Sequence, residues 1–119
     1  MTYTCDRVQI VLKNSQLKFK VILITESPES FGDAEIITQI GKLYFIFLRD
    51  RGQEFVLISK FPKLENAVYF DDVLKRLGVL DMENYDPSVS KFEDIWPVVF
   101  KYIGALKEYF SNNQQCSSP

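Results

Sequence analysis

The chain has 119 residues, 46% of them hydrophobic and 25% charged, with a net charge of −2 and no histidine. This is one domain of ordinary globular composition, long enough to bury a core of its own. The charge argues against broad nucleic-acid binding. The missing histidine excludes serine–histidine and cysteine–histidine nucleophiles and removes the commonest general base. No apolar run approaches the ~20 residues a membrane-spanning helix needs. The first ten residues, MTYTCDRVQI, lack the basic start and apolar stretch of a secretory signal, so the expected location is cytoplasmic. Two cysteines, Cys5 and Cys116, could pair only if a polar tail folded back to the first element. Without histidine they make a structural zinc site implausible, and no cofactor is expected.

Thr2 to Lys13 alternates, with Val8, Ile10 and Leu12 on one side and Arg7, Gln9 and Lys13 on the other, and reads as a strand. Asn14-Ser15-Gln16 is a turn. Leu17 to Thr25 alternates again, completing a hairpin. Glu26 to Ala34 reads as an acidic loop, and Glu35 to Ile40 as a strand interrupted by Gly41, a bend or a break.

The sheet reading is strongest from Lys42 to Lys60. Leu43, Phe45 and Phe47 alternate with Tyr44, Ile46 and Leu48, and Phe55 to Ile58 continues the apolar character. Both faces are apolar, so both need cover. Arg49-Asp50-Arg51-Gly52 is the polar connection, with Gly52 at a left-handed position. The run Lys42 to Phe47 has the basic start and spaced aromatics of an RNA-binding strand. It lacks that motif's glycines and its element order, so no nucleic-acid partner is expected. Pro62 marks the end of the sheet region.

The remainder reads as helical. Asp71 can cap a short helix carrying Val73, Leu74 and Leu77, with Gly78 as stop. Residues 81–89 form a polar connector. Ser90-Lys91-Phe92-Glu93 fits a capping box. The helix beyond it carries Phe92, Ile95 or Trp96, Val99, Ile103, Leu106 and Phe110 as an apolar stripe. Pro97 either bends it or opens its main part. Residues 111–119 read as a frayed tail. The expected fold is α+β: an antiparallel meander of four to five strands, then two C-terminal helices packed on one side.

The carboxylate pairs Asp71-Asp72 and Glu93-Asp94 sit at helix starts, where the helix dipole favours acids, and a catalytic dyad or a Mg²⁺ site there has no supporting motif. The chain is read as no enzyme. From Glu65 to Asp94, eight acids stand against Lys75, Arg76 and Lys91, a net −5 within thirty residues, whereas the first sixty are near neutral. Tyr69, Phe70, Tyr85, Phe92 and Trp96 are interleaved with the acids. Such a segment is either a solvated helix face over core aromatics or the binding edge of an inhibitor of a basic protein. On the second reading Asp71, Asp72, Asp81, Glu83, Tyr85 and Asp86 make the contacts.

The small acidic chain, its strand meander, the segment Tyr69-Phe70-Asp71-Asp72-Val73-Leu74-Lys75-Arg76-Leu77-Gly78 and the closing amphipathic helix together resemble the bacterial immunity proteins of contact-dependent inhibition. The resemblance implies a cytoplasmic, non-catalytic protein that masks the active site of a basic toxin domain, in many cases a nuclease, with no nucleic-acid or membrane partner. A structural or assembly subunit of a phage or secretion apparatus is the alternative, with self-association through the two-sided apolar strands.

Overall fold

The computed structural model describes residues 3–27, 33–79, 85–86 and 89–112. It begins with a helix, α1 (Tyr3–Asn14), where alternation predicted a strand. The two periods overlap here. Val8 and Leu12 fit both, but the helical spacing adds Cys5 and turns Ile10 outward. Cys5, Val8 and Leu12 are buried, while Ile10 is 58% exposed. The N-terminal hairpin is therefore absent. Gln16 takes a left-handed φ of 60° after the helix.

Five antiparallel strands follow in sequential order: β1 (Lys20–Ser27), β2 (Asp33–Ile40), β3 (Leu43–Asp50), β4 (Gln53–Ser59) and the two-residue β5 (Val68–Tyr69). The expected loop is narrower than Glu26 to Ala34, since Glu26, Ser27, Asp33 and Ala34 all pair in the β1–β2 ladder. Residues 28–32, including Phe31, lie outside the described residues. Gly41 separates two strands: it has a φ of 63° at the first of two turn positions, between the paired Ile40 and Leu43. That is the II′ pattern, which matches the twist of a hairpin. Asp50 pairs with Gln53, so the next turn is only Arg51-Gly52, with φ of 53° and 82°. Arg49 and Asp50, expected in the connection, extend β3. Sheet pairing resumes after Pro62, at β5.

The four helices among the described residues all cover one face of the sheet. α2 (Phe70–Arg76), α3 (Phe92–Lys101) and α4 (Ile103–Asn112) complete the set. Ile36, Phe45, Phe47, Val56 and Ile58 meet Val8 and Leu12 of α1, Phe70, Val73 and Leu74 of α2, Phe92, Ile95, Trp96 and Val99 of α3, and Leu106 of α4. The apolar stripe predicted for the last helical region is this contact. Trp96 packs on Phe45 and Phe47 at 5.6 and 5.5 Å between ring centres, and Phe47 meets Phe92 edge-on at 5.4 Å. Each such buried side chain contributes about 1.5–3 kcal/mol. The Trp96 indole N–H donates to Ser15 Oγ at 2.7 Å, tying α3 to the end of α1.

The opposite face has thinner cover. Ile37, Ile46 and Leu57 are buried there beneath Leu64 and Ala67, in and after a single 3-10 turn at Leu64–Asn66. The two-sided apolar pattern of β3 and β4 is thus satisfied by helices on one side and a loop on the other.

The helical tail is divided differently from the expectation. α3 runs through Pro97 at its sixth position, and the break falls at Tyr102 instead. α3 starts one residue later than the capping box implied. Lys91 is the N-cap, and Asp94 accepts the Lys91 amide at 3.3 Å, while Ser90 donates to the Asp86 carbonyl.

Candidate functional site

The acidic segment is built around α2. Tyr69 is its N-cap, and no side chain caps the helix, so Asp71 does not play the capping part expected of it. Asp71 and Asp72 lie in the first turn, where exposed N–H groups favour negative charge. The helix ends as predicted at Gly78, whose φ is 77°. Val79 N–H reaches the Leu74 carbonyl at 3.0 Å and Gly78 N–H the Lys75 carbonyl at 3.1 Å, a Schellman closure that needs a left-handed residue. Leu77, expected inward, is 45% exposed.

Four of the six candidate contact residues are described, and the structure brings them together. Asp71 is largely covered, with its side chain 14% exposed and Lys75 at 3.8 Å. Burial, then the charge of Asp72, raises its pKa above the usual carboxylate range. Tyr85 is half-buried with its ring against Phe70 at 5.4 Å. Burial first, and then the charge of Asp71, pushes the Tyr85 hydroxyl up to about 12, so it is protonated and able to donate at neutral pH. Asp72 and Asp86 are exposed. Asp81 and Glu83 lie outside the described residues. Around the acids, Val68 and Tyr69 are 39% and 41% exposed and Val89 is 72% exposed. Phe70, Phe92 and Trp96, interleaved with the acids in sequence, are core residues with at most 1% exposure. Tyr69 and Tyr85 are the aromatics with surface to offer.

A second charged constellation carries no linear signal. Glu54 is fully buried on the helix-covered face of β4. Arg7 donates to both its oxygens at 2.6 and 2.8 Å, Arg49 donates at 2.9 Å, and the Phe92 amide donates at 2.8 Å. Arg7 also donates twice to Glu93, at 2.7 and 2.9 Å, and lies over the Phe92 ring at 5.3 Å. Burial alone would raise Glu54, but the hydrogen bonds from Arg7 and Phe92 and the two arginine charges hold it below the usual range. The Arg7 hydrogen bonds hold Glu93 low against the effect of burial. Two-sided pairing of this kind keeps a carboxylate ionised, leaving it unsuited to proton transfer near neutral pH. This group joins α1, β3, β4 and α3, and its geometry serves the fold. Glu54 shares its strand phase with Val56 and Ile58, the one sequence signal of a carboxylate on a buried face.

Among the described residues, no group of three or more potential ligands could hold a metal ion. No described helix is long and apolar enough to cross a membrane. Compared with protein-family models, curated proteins and solved structures, the chain matches none.

Proposed function

We propose that the protein is a non-catalytic inhibitor, an immunity protein that neutralises a basic toxin domain such as a nuclease by direct binding. The supporting observation is the patch at α2: Asp71 and Asp86 beside the half-buried Tyr85, the exposed Asp72 next to Asp71, and Val68, Tyr69 and Val89 exposed along the same segments. Acids in that arrangement steer a basic partner to the surface, and the aromatic and aliphatic groups hold it after water leaves. Asp71 supports the reading further. Burial and the neighbouring Asp72 raise its carboxyl above the usual aspartate value, and groups perturbed in this way gather at functional surfaces. The test is the salt dependence of complex formation. Association with the toxin partner is expected to slow steeply as ionic strength rises from about 0.01 to 0.15 M and the Debye length shrinks from about 30 to about 8 Å. A salt-independent association rate contradicts steering by the patch.

A second reading, an assembly subunit, is favoured by the β1 edge. Among the described residues no strand lies outside β1, and Ile22, Leu23 and Ile24 are 38%, 46% and 44% exposed along it. An apolar edge is a template for pairing with another chain. The irregularity between Val21 and Leu23 interrupts the ladder there and works against it. Sedimentation of a strict monomer across micromolar concentrations excludes this reading.

A further inference from the structure

A cleft of about 590 Å³ opens where the β2–β3 turn, the exit of β4 and the last turns of α4 meet. Its size falls in the ordinary range of small-molecule sites. Three lysines line it, Lys42 from the turn, Lys60 from the end of β4 and Lys107 from α4, and no carboxylate does among the described lining residues. In a chain of net charge −2, this is a local concentration of positive charge. Among the described residues none of the three lysines is paired with an acid, the ion pairs being those of Arg7, Arg49 and Lys75.

The walls are apolar. Leu43 closes the floor at 6% exposure, Phe110 stands half-buried on the α4 side, and Phe61 is 56% exposed. Phe61 is exposed yet held in place. Its amide donates to Ser59 Oγ at 3.0 Å and its carbonyl accepts from the Lys63 amide at 2.8 Å, fixing the backbone on both sides. A large apolar ring kept at the mouth of a cationic cleft has surface to give to a ligand.

We propose that this cleft binds a nucleoside di- or triphosphate, with the phosphates on Lys42, Lys60 and Lys107 and the base against Phe61. Three lysines lining one cleft match a multivalent anion; a single carboxylate would leave two of their charges uncompensated. A flat ring matches the free face of a phenylalanine, and base–aromatic stacking tolerates any base. The site shares no residue with the acidic patch and stands independently of the inhibitor reading.

The experiment is calorimetric titration of the full chain with ADP, pyrophosphate and laurate. ADP is expected to bind, and pyrophosphate to bind about tenfold to a hundredfold more weakly for want of stacking. Phe61→Ala should bring ADP down to the pyrophosphate level. Lys60→Ala with Lys107→Ala should weaken both phosphates by at least about tenfold, in a salt-dependent way. Circular dichroism of each variant should match the parent, since Phe61 and Lys107 lie at the surface. The proposal is overturned if ADP gives no heat at about 1 mM, the weak end of specific affinity. It is equally overturned if the lysine pair is dispensable or if laurate binds as tightly as ADP, which would mark an acyl site.

Discussion

Glu54 is the residue on which the helix-covered side of the fold turns. It is buried between Arg7, Arg49 and the Phe92 amide. Removing one partner of a buried pair leaves the other charges uncompensated, and this costs more than the pair itself contributes. Arg49 keeps a buried Nε without an acceptor among the described residues, so it has no second bond to fall back on. Glu54→Gln should lower the unfolding free energy by about 3 kcal/mol, the low end for such a break because Glu93 still holds Arg7. Urea denaturation measures it. The pH dependence has a definite sign. Glu54 and Glu93 are both held below the usual value of 4.5. Their contribution is therefore complete above that value and is lost as pH falls through their lowered folded-state values. Acid unfolding followed in parallel should show Glu54→Gln with a shallower loss of stability below pH 4.5 than the parent. Asp71 has the opposite sign. Its pKa is raised, so its charged form costs stability above the folded value, a cost that fades as pH falls. Asp71→Asn should remove this pH-dependent cost, so that its stability relative to the parent improves as pH rises, while weakening partner binding, a stability–function trade-off readable by thermal melts at several pH values and by binding together.

At the scale of elements, α1 and β3–β4 show what a sequence pattern can and cannot decide. In β3 and β4 both faces are apolar and the turn carries Gly52, so strand is the consistent reading at every level. In α1 the residues Val8, Ile10 and Leu12 alternate, and β-branched side chains add to the strand signal. What decides for helix is tertiary: Cys5, Val8 and Leu12 fall on one helical face above the sheet, and the Trp96–Ser15 bond anchors the end. Two substitutions test the placement of α1, and the second separates the readings. Leu12→Ala should cost about 2–5 kcal/mol, as for other buried leucines. Ile10→Lys should change stability by no more than about 0.5 kcal/mol, since Ile10 faces out on the helix and would face in on a strand. The Arg7–Glu54–Glu93 group was illegible for a related reason. Its members lie 47 and 86 residues apart, and only the phase of Glu54 with Val56 hints at it. The acidic site was half legible. Clustering of Asp71, Asp72, Tyr85 and Asp86 follows from their closeness in sequence, but the same string could not tell the core aromatics Phe70, Phe92 and Trp96 from the exposed Tyr69.

For the whole molecule, the α+β class was legible from a block of strands followed by helices, although one helix, α1, precedes the five-stranded meander; the class holds because the helices on both sides of that block gather on one face of the antiparallel sheet. The helices bury one face of the sheet, and the acidic patch is carried by α2 and the residues that follow it. On the α2 part of that patch, Asp71 and Asp72 stand on a helix backed by the buried Phe70, Val73 and Leu74. The most direct measurement compares the parent with the Asp71→Lys, Asp72→Lys, Asp86→Lys triple variant as bait in lysate of the native organism, with circular dichroism as a control on folding. The inhibitor account predicts one basic, stoichiometric partner held by the parent and lost by the folded variant. The same partner held equally by both, or no partner at all, would contradict it.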